Sequence, residues 1–212
     1  MYEPPLHRED DLTKQHALIE ARPLGLMISN GPKGLIANAV PFLLDRAASR
    51  LGTLRAHVAR ANSQWRELAA SPEALVVFQG ADHYISPSWY ATKQETHKVV
   101  PTWNYVMVQA RGAARAIEDD GWLERQIAAL TARQEAFRAE PWAVSDAPAD
   151  FIALQRRAVV GIEIEIADIR GKWKTSQNRS AADRDGVVAA LEALGGDEAA
   201  AMATAVRKTG KS

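Results

Sequence analysis

The segment AVVGIEIEIADIRGKWK (158–174) carries the clearest strand pattern in the chain. Val160, Ile162, Ile164 and Ile166 alternate with Gly161, Glu163 and Glu165. A period of two sends successive side chains to opposite faces of an extended chain, so the segment reads as a strand with one apolar and one polar face. Glu163 and Glu165 share the polar face, and that spacing reads as a solvated edge rather than an acid/base pair.

Working upstream, 149–157 reads as a short helix. Asp119 and Asp120 open a longer one to about residue 139, with Leu123, Ile127, Leu130 and Phe137 on one face and Pro141 to end it. Residues 105–117 read as a long strand in which Gly112 marks a bulge or a close approach. HYISPSWYATKQETHKVVPTWNY (83–105) reads as two extended segments flanking a polar loop at 91–98, because Pro87 and Pro101 fix their own φ and push their neighbours out of the helical region. Its aromatics, Tyr84, Trp89, Tyr90, Trp103 and Tyr105, suit either a stacking surface or the core of a β domain. The apolar run 74–78 reads as a buried strand, turned back by Gly80-Ala81-Asp82 into 83–85.

Nearer the start, Asp10 or Asp11 caps a helix through about Ala21. Residues 24–29 and 35–44 read as strands joined by Asn30-Gly31-Pro32-Lys33-Gly34. Residues 51–58 form a further strand, and a short helix opens at 61–65 with Asn62 as its cap. Downstream, 180–194 is an amphipathic helix, Gly195-Gly196 breaks it, Asp197 caps an alanine-rich helix, and 208–212 fray. About seven strands at short spacing with peripheral helices favour an antiparallel barrel over a parallel α/β sheet.

The chain has 212 residues, with 26 lysines plus arginines and 26 aspartates plus glutamates, so its formal net charge is zero. A duplex-DNA binder usually carries a basic excess, and none is evident globally. The charge is nonetheless uneven. Between Arg46 and Arg66 there are five arginines and no carboxylate, and between Arg170 and Arg179 four cations and again no carboxylate. Such segments suit a small anion or, equally, a solvated basic face. The absence of cysteine excludes disulfides, thiolate catalysis and cysteine-ligated metals. No apolar run approaches the roughly 20 residues of a membrane helix, and the polar start lacks a signal-like segment, so the chain reads as a soluble cytoplasmic protein.

Thr53, Arg55 and His57 share a strand face, and Arg60 and Asn62 follow at the turn into a helix, where free amides favour an anion such as phosphate. Lys172 to Arg179 combines cations, an aromatic and neutral hydrogen-bonding side chains, a mixture suited to a flat phosphorylated ligand or to an ordinary polar loop. The five histidines have no helical metal-site spacing. No nucleotide-binding glycine loop or serine-nucleophile motif occurs, which argues against a hydrolase.

Several segments together carry a resemblance. Met1-Tyr2, Pro23-Leu24-Gly25, LGTLRAHVARANSQW (51–65), LVVFQGADHYISPSWY (75–90), VVPTWNY (99–105) and GIEIEIADIRGKWKTSQNR (161–179) resemble, in order, the motifs of the PaiB-like FMN-binding negative transcriptional regulators. Ser63 and Ala81 stand where such motifs would carry proline. The resemblance implies a mainly β, α+β architecture, an antiparallel split β-barrel of the FMN-binding type over 1–194, with a helical tail at 195–212. It further implies a homodimer with FMN at the subunit interface. His57, Arg60 and Asn62 would then hold the flavin phosphate, with Arg55 on the same strand face. Asn38 to Pro41 would approach the ring system. Trp103, Asn104, Lys174 and Gln177 would complete the pocket. The function implied is an FMN-binding transcriptional repressor. The alternatives are a flavin-dependent oxidoreductase using a reduced nicotinamide, or a haem-binding split barrel with His57, His83 or His97 as ligand. Direct DNA binding has the family label behind it but not the charge.

Overall fold

In the computed structural model, which describes residues 1–32 and 34–209, the alternation of 158–174 becomes strand β8 (Val159–Lys174). It pairs antiparallel with β5 (Thr53–Ala59), setting Val160, Ile162 and Ile164 opposite Val58, Ala56 and Leu54. All six are buried, so this face of the ladder is core. The other face sets Glu163 opposite Arg55 and Gly161 opposite His57.

The remaining elements, in chain order, are β1 (Arg8–Glu9), α1 (Leu12–Ala21), β2 (Leu24–Gly31), β3 (Gly34–Pro41), β4 (Leu43–Asp45), α2 (Gln64–Ala70), β6 (Glu73–Ile85), α3 (Thr92–Thr96), β7 (Thr102–Ile117), α4 (Asp120–Glu135), α5 (Ala149–Arg157), α6 (Ala181–Leu194) and α7 (Asp197–Thr209). The strands form one eight-stranded sheet in the order β3-β2-β6-β7-β8-β5-β4, with β1 added to β8. Consecutive strands β2 and β3 pair in register from Leu24↔Pro41 to Gly31↔Gly34. Lys33, within the expected turn, and 210–212, within the expected frayed end, lie outside the described residues.

The chain divides into two units. The first comprises 16–78 and 109–169, and the second comprises 1–15, 79–108 and the described residues from 170 onward. In the first, Met27, Phe42, Leu54, Val76, Phe78 and Ile162 are essentially inaccessible, and Phe42 meets Phe78 edge to face at 5.8 Å. Burying such side chains contributes about 1.5–3 kcal/mol each. Gly112 marks a close approach, since a Cβ there would lie 1.9 Å from the Glu165 carbonyl oxygen. In the second unit, Ile85, Tyr90, Val187, Leu191, Met202 and Val206 form one core, so α7 packs with α6. Asp183 ties α3 to α6, accepting from the Thr92 backbone N–H and hydroxyl at 2.9 Å each.

Four sequence expectations change. Gly80-Ala81-Asp82 does not turn, because β6 continues unbroken to Ile85 and Gly80 keeps away from the left-handed region. The polar loop at 91–98 contains α3, closed by His97 at φ 56°. Phe137 lies beyond α4 and is almost wholly exposed. Glu163 is buried rather than solvated. Among the described residues no helix is long and apolar enough to cross a membrane.

Candidate functional site

The nine candidate residues fall into two groups, one in each unit. In the first unit, β5 carries Arg55 and His57 on one face, and the turn after it carries Arg60 and Asn62. The Arg60 guanidinium is held by the Glu118 carboxylate at 2.5 Å and by the Arg157 and Val159 carbonyls. Arg55 donates through Nε to Glu163 at 2.9 Å and pairs with Asp45 at 2.8 Å. Arg46 donates to both oxygens of Glu20. The stretch that is free of acids in sequence is therefore supplied with carboxylates by distant segments.

The helix start is also more occupied than expected. Asn62 Oδ1 accepts from the Gln64 N–H at 3.0 Å, and the Ser63 carbonyl accepts from Arg66 and Glu67. Asn62 thus braces the turn into α2, whose N-cap is Ser63 rather than the expected Asn62, and fewer amides remain for an anion. Gln64, fully buried, is the residue that sequence reasoning missed. Its Oε1 accepts from Asn38 Nδ2 at 2.9 Å, and its Nε2 donates to Met27 O and Ser29 Oγ. This network locks β2, β3 and α2 together beside His57's strand. A glutamine directly after Asn62-Ser63 was the only available signal.

His57 differs from its neighbours. Its Nδ1 is buried and has no hydrogen-bond partner. Buried polar groups are almost always satisfied, so an orphaned ring nitrogen marks a place where a further group is expected. Burial also holds the imidazole pKa below its ordinary value, favouring the neutral ring, which offers one donor and one acceptor. That is a set able to accept a hydrogen bond from a flavin or donate one to it, and it fits the implied cofactor.

In the second unit, Asn104 is buried, donates through Nδ2 to Ser176 Oγ at 2.9 Å, and leaves Oδ1 without a partner. Lys174 Nζ donates to Thr102 Oγ1 at 2.5 Å. Lys172, also buried, donates to Tyr2 O at 2.9 Å and lies over the Tyr2 and Tyr105 rings. Among the described residues neither lysine is ion-paired, so here the acid-free character of the sequence persists in space. Gln177 accepts from the Thr175 N–H at 2.8 Å and donates to Trp173 O, while its Oε1 lies 3.1 Å from His7 Nδ1. Trp103 is exposed and packs edge to face on Tyr84 at 6.0 Å. Tyr90 is buried in the core beneath Arg179.

The other histidines named for haem are placed differently. His83 Nδ1 is 2.7 Å from Tyr84 O, and His97 is an exposed helix-end residue. Among the described residues no group of three or more histidines, aspartates or glutamates is arranged to hold a metal ion.

Eight antiparallel strands followed by two C-terminal helices constitute a split β-barrel. The structure is similar to a conserved hypothetical protein of Mycobacterium tuberculosis (TM-score 0.60, 12% identity, 85% of this chain and 94% of that one). It is similar also to an FAD and haem binding protein of Mycobacterium smegmatis (TM-score 0.59, 18% identity, 90% and 81% covered). The chain belongs to the family described as "Putative FMN-binding domain", whose model matches residues 1–168. It is 35% identical over 246 aligned positions to an uncharacterized protein of Emericella nidulans, covering 100% of this chain and 98% of the relative. It is 28% identical over 192 positions to the protease synthase and sporulation protein PAI 2 of Bacillus subtilis, covering 91% and 89%.

Proposed function

We propose that this protein binds FMN, with His57 as the residue that meets the cofactor in the first unit. The observation that carries the reading is the buried, unpartnered Nδ1 of His57 inside the region matched by the family model. Arg60 and Asn62 take part by shaping the turn that follows β5, held there by their own internal bonds. In the second unit Asn104 and Lys174 form a separate polar pair, one with an orphaned oxygen and the other with a cation lacking a carboxylate partner. Bound flavin supplies electron-transfer chemistry, while the protein supplies position, hydrogen bonds and exclusion of water. The test is a titration of purified protein with FMN, followed by flavin fluorescence. Saturation at one FMN per chain supports the reading, and colourless protein that leaves FMN unchanged refutes it.

The family resemblance adds a homodimer. An apolar strip on β2 and β3 supports it, since Leu24, Leu26 and Leu35 are exposed at 63%, 41% and 78%. Light scattering on the purified protein checks it, and a monomer at all concentrations would remove it. The role as a negative regulator rests on the resemblance and on the sporulation protein of Bacillus subtilis. A gel shift with the protein's own upstream DNA at physiological salt tests whether regulation is direct.

A second reading, haem in place of flavin, is favoured by the same His57 nitrogen, because neutral imidazole is the form that ligates iron. An oxidoreductase role would require flavin reduction by NADH or NADPH. Absorption spectra of the purified protein, before and after adding the reduced nicotinamide, separate these readings.

A further inference from the structure

A groove of about 690 Å3 lies in the first unit between α4 and the β4–β5 ladder. Four arginines line it, Arg46 and Arg55 from the strand side and Arg125 and Arg133 from α4. Asp45 is the one carboxylate in its wall, and Leu43, Leu44 and Trp122 supply an apolar floor. Of these residues only Arg55 belongs to the candidate flavin set.

Three of the guanidiniums are held in fixed orientations with donors left over. A guanidinium has five N–H groups. Arg46 gives Nε and Nη2 to Glu20 at 2.8 and 2.5 Å. Arg55 gives Nε to Glu163 and Nη1 to Asp45. Arg133 gives Nη2 to the Glu20 carbonyl at 3.1 Å. Arg125 has no hydrogen-bond partner among the described residues and is exposed. Arg115, outside the groove, also shares Glu163, so the four groove guanidiniums have only Asp45, Glu20 and part of Glu163 as carboxylate partners. The anchoring carboxylates fix the forks, and the excess positive charge remains for an incoming anion. Pre-oriented arginine forks match phosphate and carboxylate geometry better than mobile lysines do.

We propose that this groove is a binding site, separate from the flavin, for a small molecule carrying a diphosphate and a flat apolar portion. The diphosphate lies among Arg46, Arg125 and Arg133, and the flat portion rests on Trp122 and the two leucines. The volume falls within the roughly 300–1,000 Å3 of small-molecule sites.

The experiment is isothermal titration of the full-length protein, at constant ionic strength, with inorganic pyrophosphate and separately with ADP. Pyrophosphate probes the arginine forks alone, and ADP adds a ring for the Trp122 wall. Both ligands saturate at one per chain. The R125A and R133A substitutions each weaken pyrophosphate about tenfold or more, the scale of one lost charge-assisted hydrogen bond. H57A leaves pyrophosphate affinity unchanged, and R125A leaves FMN affinity and the far-UV circular dichroism unchanged. R125K, which keeps the charge but not the fork, separates charge from geometry and recovers part of the binding.

No saturable heat with either ligand overturns the proposal, as does pyrophosphate binding untouched by R125A and R133A. Equal loss of FMN and pyrophosphate in R125A also overturns it, because the groove would then be part of the flavin site. Pyrophosphate binding without FMN binding leaves the groove standing and removes the flavin reading instead.

Discussion

Replacing Glu163 with alanine removes the carboxylate that joins two arginines inside the first unit. Glu163 Oε2 accepts from Arg55 Nε at 2.9 Å, and Oε1 accepts from Arg115 Nε and Nη2 at 3.0 and 2.5 Å. The Glu163 side chain is 11% exposed and that of Arg55 is 34% exposed, so their hydrogen bond forms in a partly dry setting. A charge-assisted bond of this kind is worth about 1.5–3 kcal/mol. Arg115 is 72% exposed, and solvent screening reduces its pair to about 0.2–1 kcal/mol. Arg55 keeps Asp45 after the substitution, which limits the damage. The expected cost is therefore about 2–3 kcal/mol at neutral pH, read from urea unfolding monitored by tryptophan fluorescence.

The same carboxylate gives that cost a pH signature. Burial alone would push Glu163 up, but the hydrogen bonds from Arg115 and Arg55 outweigh it and hold the pKa below 4.5. A carboxylate with a depressed folded-state pKa stabilises the protein above its unfolded value and loses that contribution as the pH falls through the folded value. The gap between wild type and E163A should thus be full at pH 7 and shrink below about pH 4.5. A cost under about 0.5 kcal/mol at pH 7, or one that stays constant down to pH 3, would mean that Arg55 and Arg115 do not hold the ionised Glu163 carboxylate.

Other substitutions test separate parts of the structure. Gly112→Ala drives a methyl group into the Glu165 carbonyl across the β7–β8 ladder, where backbone rather than a flexible side chain must give way. Thermal unfolding should register a loss of about 1–3 kcal/mol or more, and an unchanged melting temperature would contradict the close approach. Asp183→Ala leaves both Thr92 donors without their acceptor, at a cost of about 1–3 kcal/mol, and hydrogen exchange should show α3 opening first. The depressed pKa of His57 means that the unfolded chain takes up its proton first as the pH drops below about 6.5. Wild type should therefore lose stability between pH 7 and 5 more steeply than H57A, and parallel profiles would rule this out.

How far these features were legible in the sequence depends on how local their causes are. The alternation in β8 was visible because one strand face is core along the whole ladder with β5. The continuation of β6 through Gly80-Ala81-Asp82 was hidden, since those residues suit a turn and only pairing with a neighbouring strand keeps them extended. The short helix α3 was hidden for a related reason: its first residue is fastened by Asp183, 91 positions away. Glu163 and Glu165 look identical in sequence, yet one is buried between two arginines and the other is exposed. Nothing in a two-residue period reveals which part of a polar face a helix will cover. Within the candidate site, the sequence pointed to His57 and Asn104 as residues but gave no hint that each leaves a buried atom unpaired. The arginine-rich segment was visible as charge, whereas its compensation by Glu20, Glu118 and Glu163 arises only in three dimensions.

FMN binding with a direct contribution from His57 remains the proposal on which the other functional readings rest. The measurement that tests it most directly is an equilibrium titration of wild-type protein and H57A with FMN, followed by flavin fluorescence, with melting temperatures recorded alongside. Wild type should saturate at one FMN per chain, and H57A should bind at least about tenfold more weakly, the scale of one lost hydrogen bond to the ligand, in a protein that still folds. Wild-type protein that leaves FMN fluorescence unchanged, or H57A that binds FMN as tightly as wild type, would contradict it.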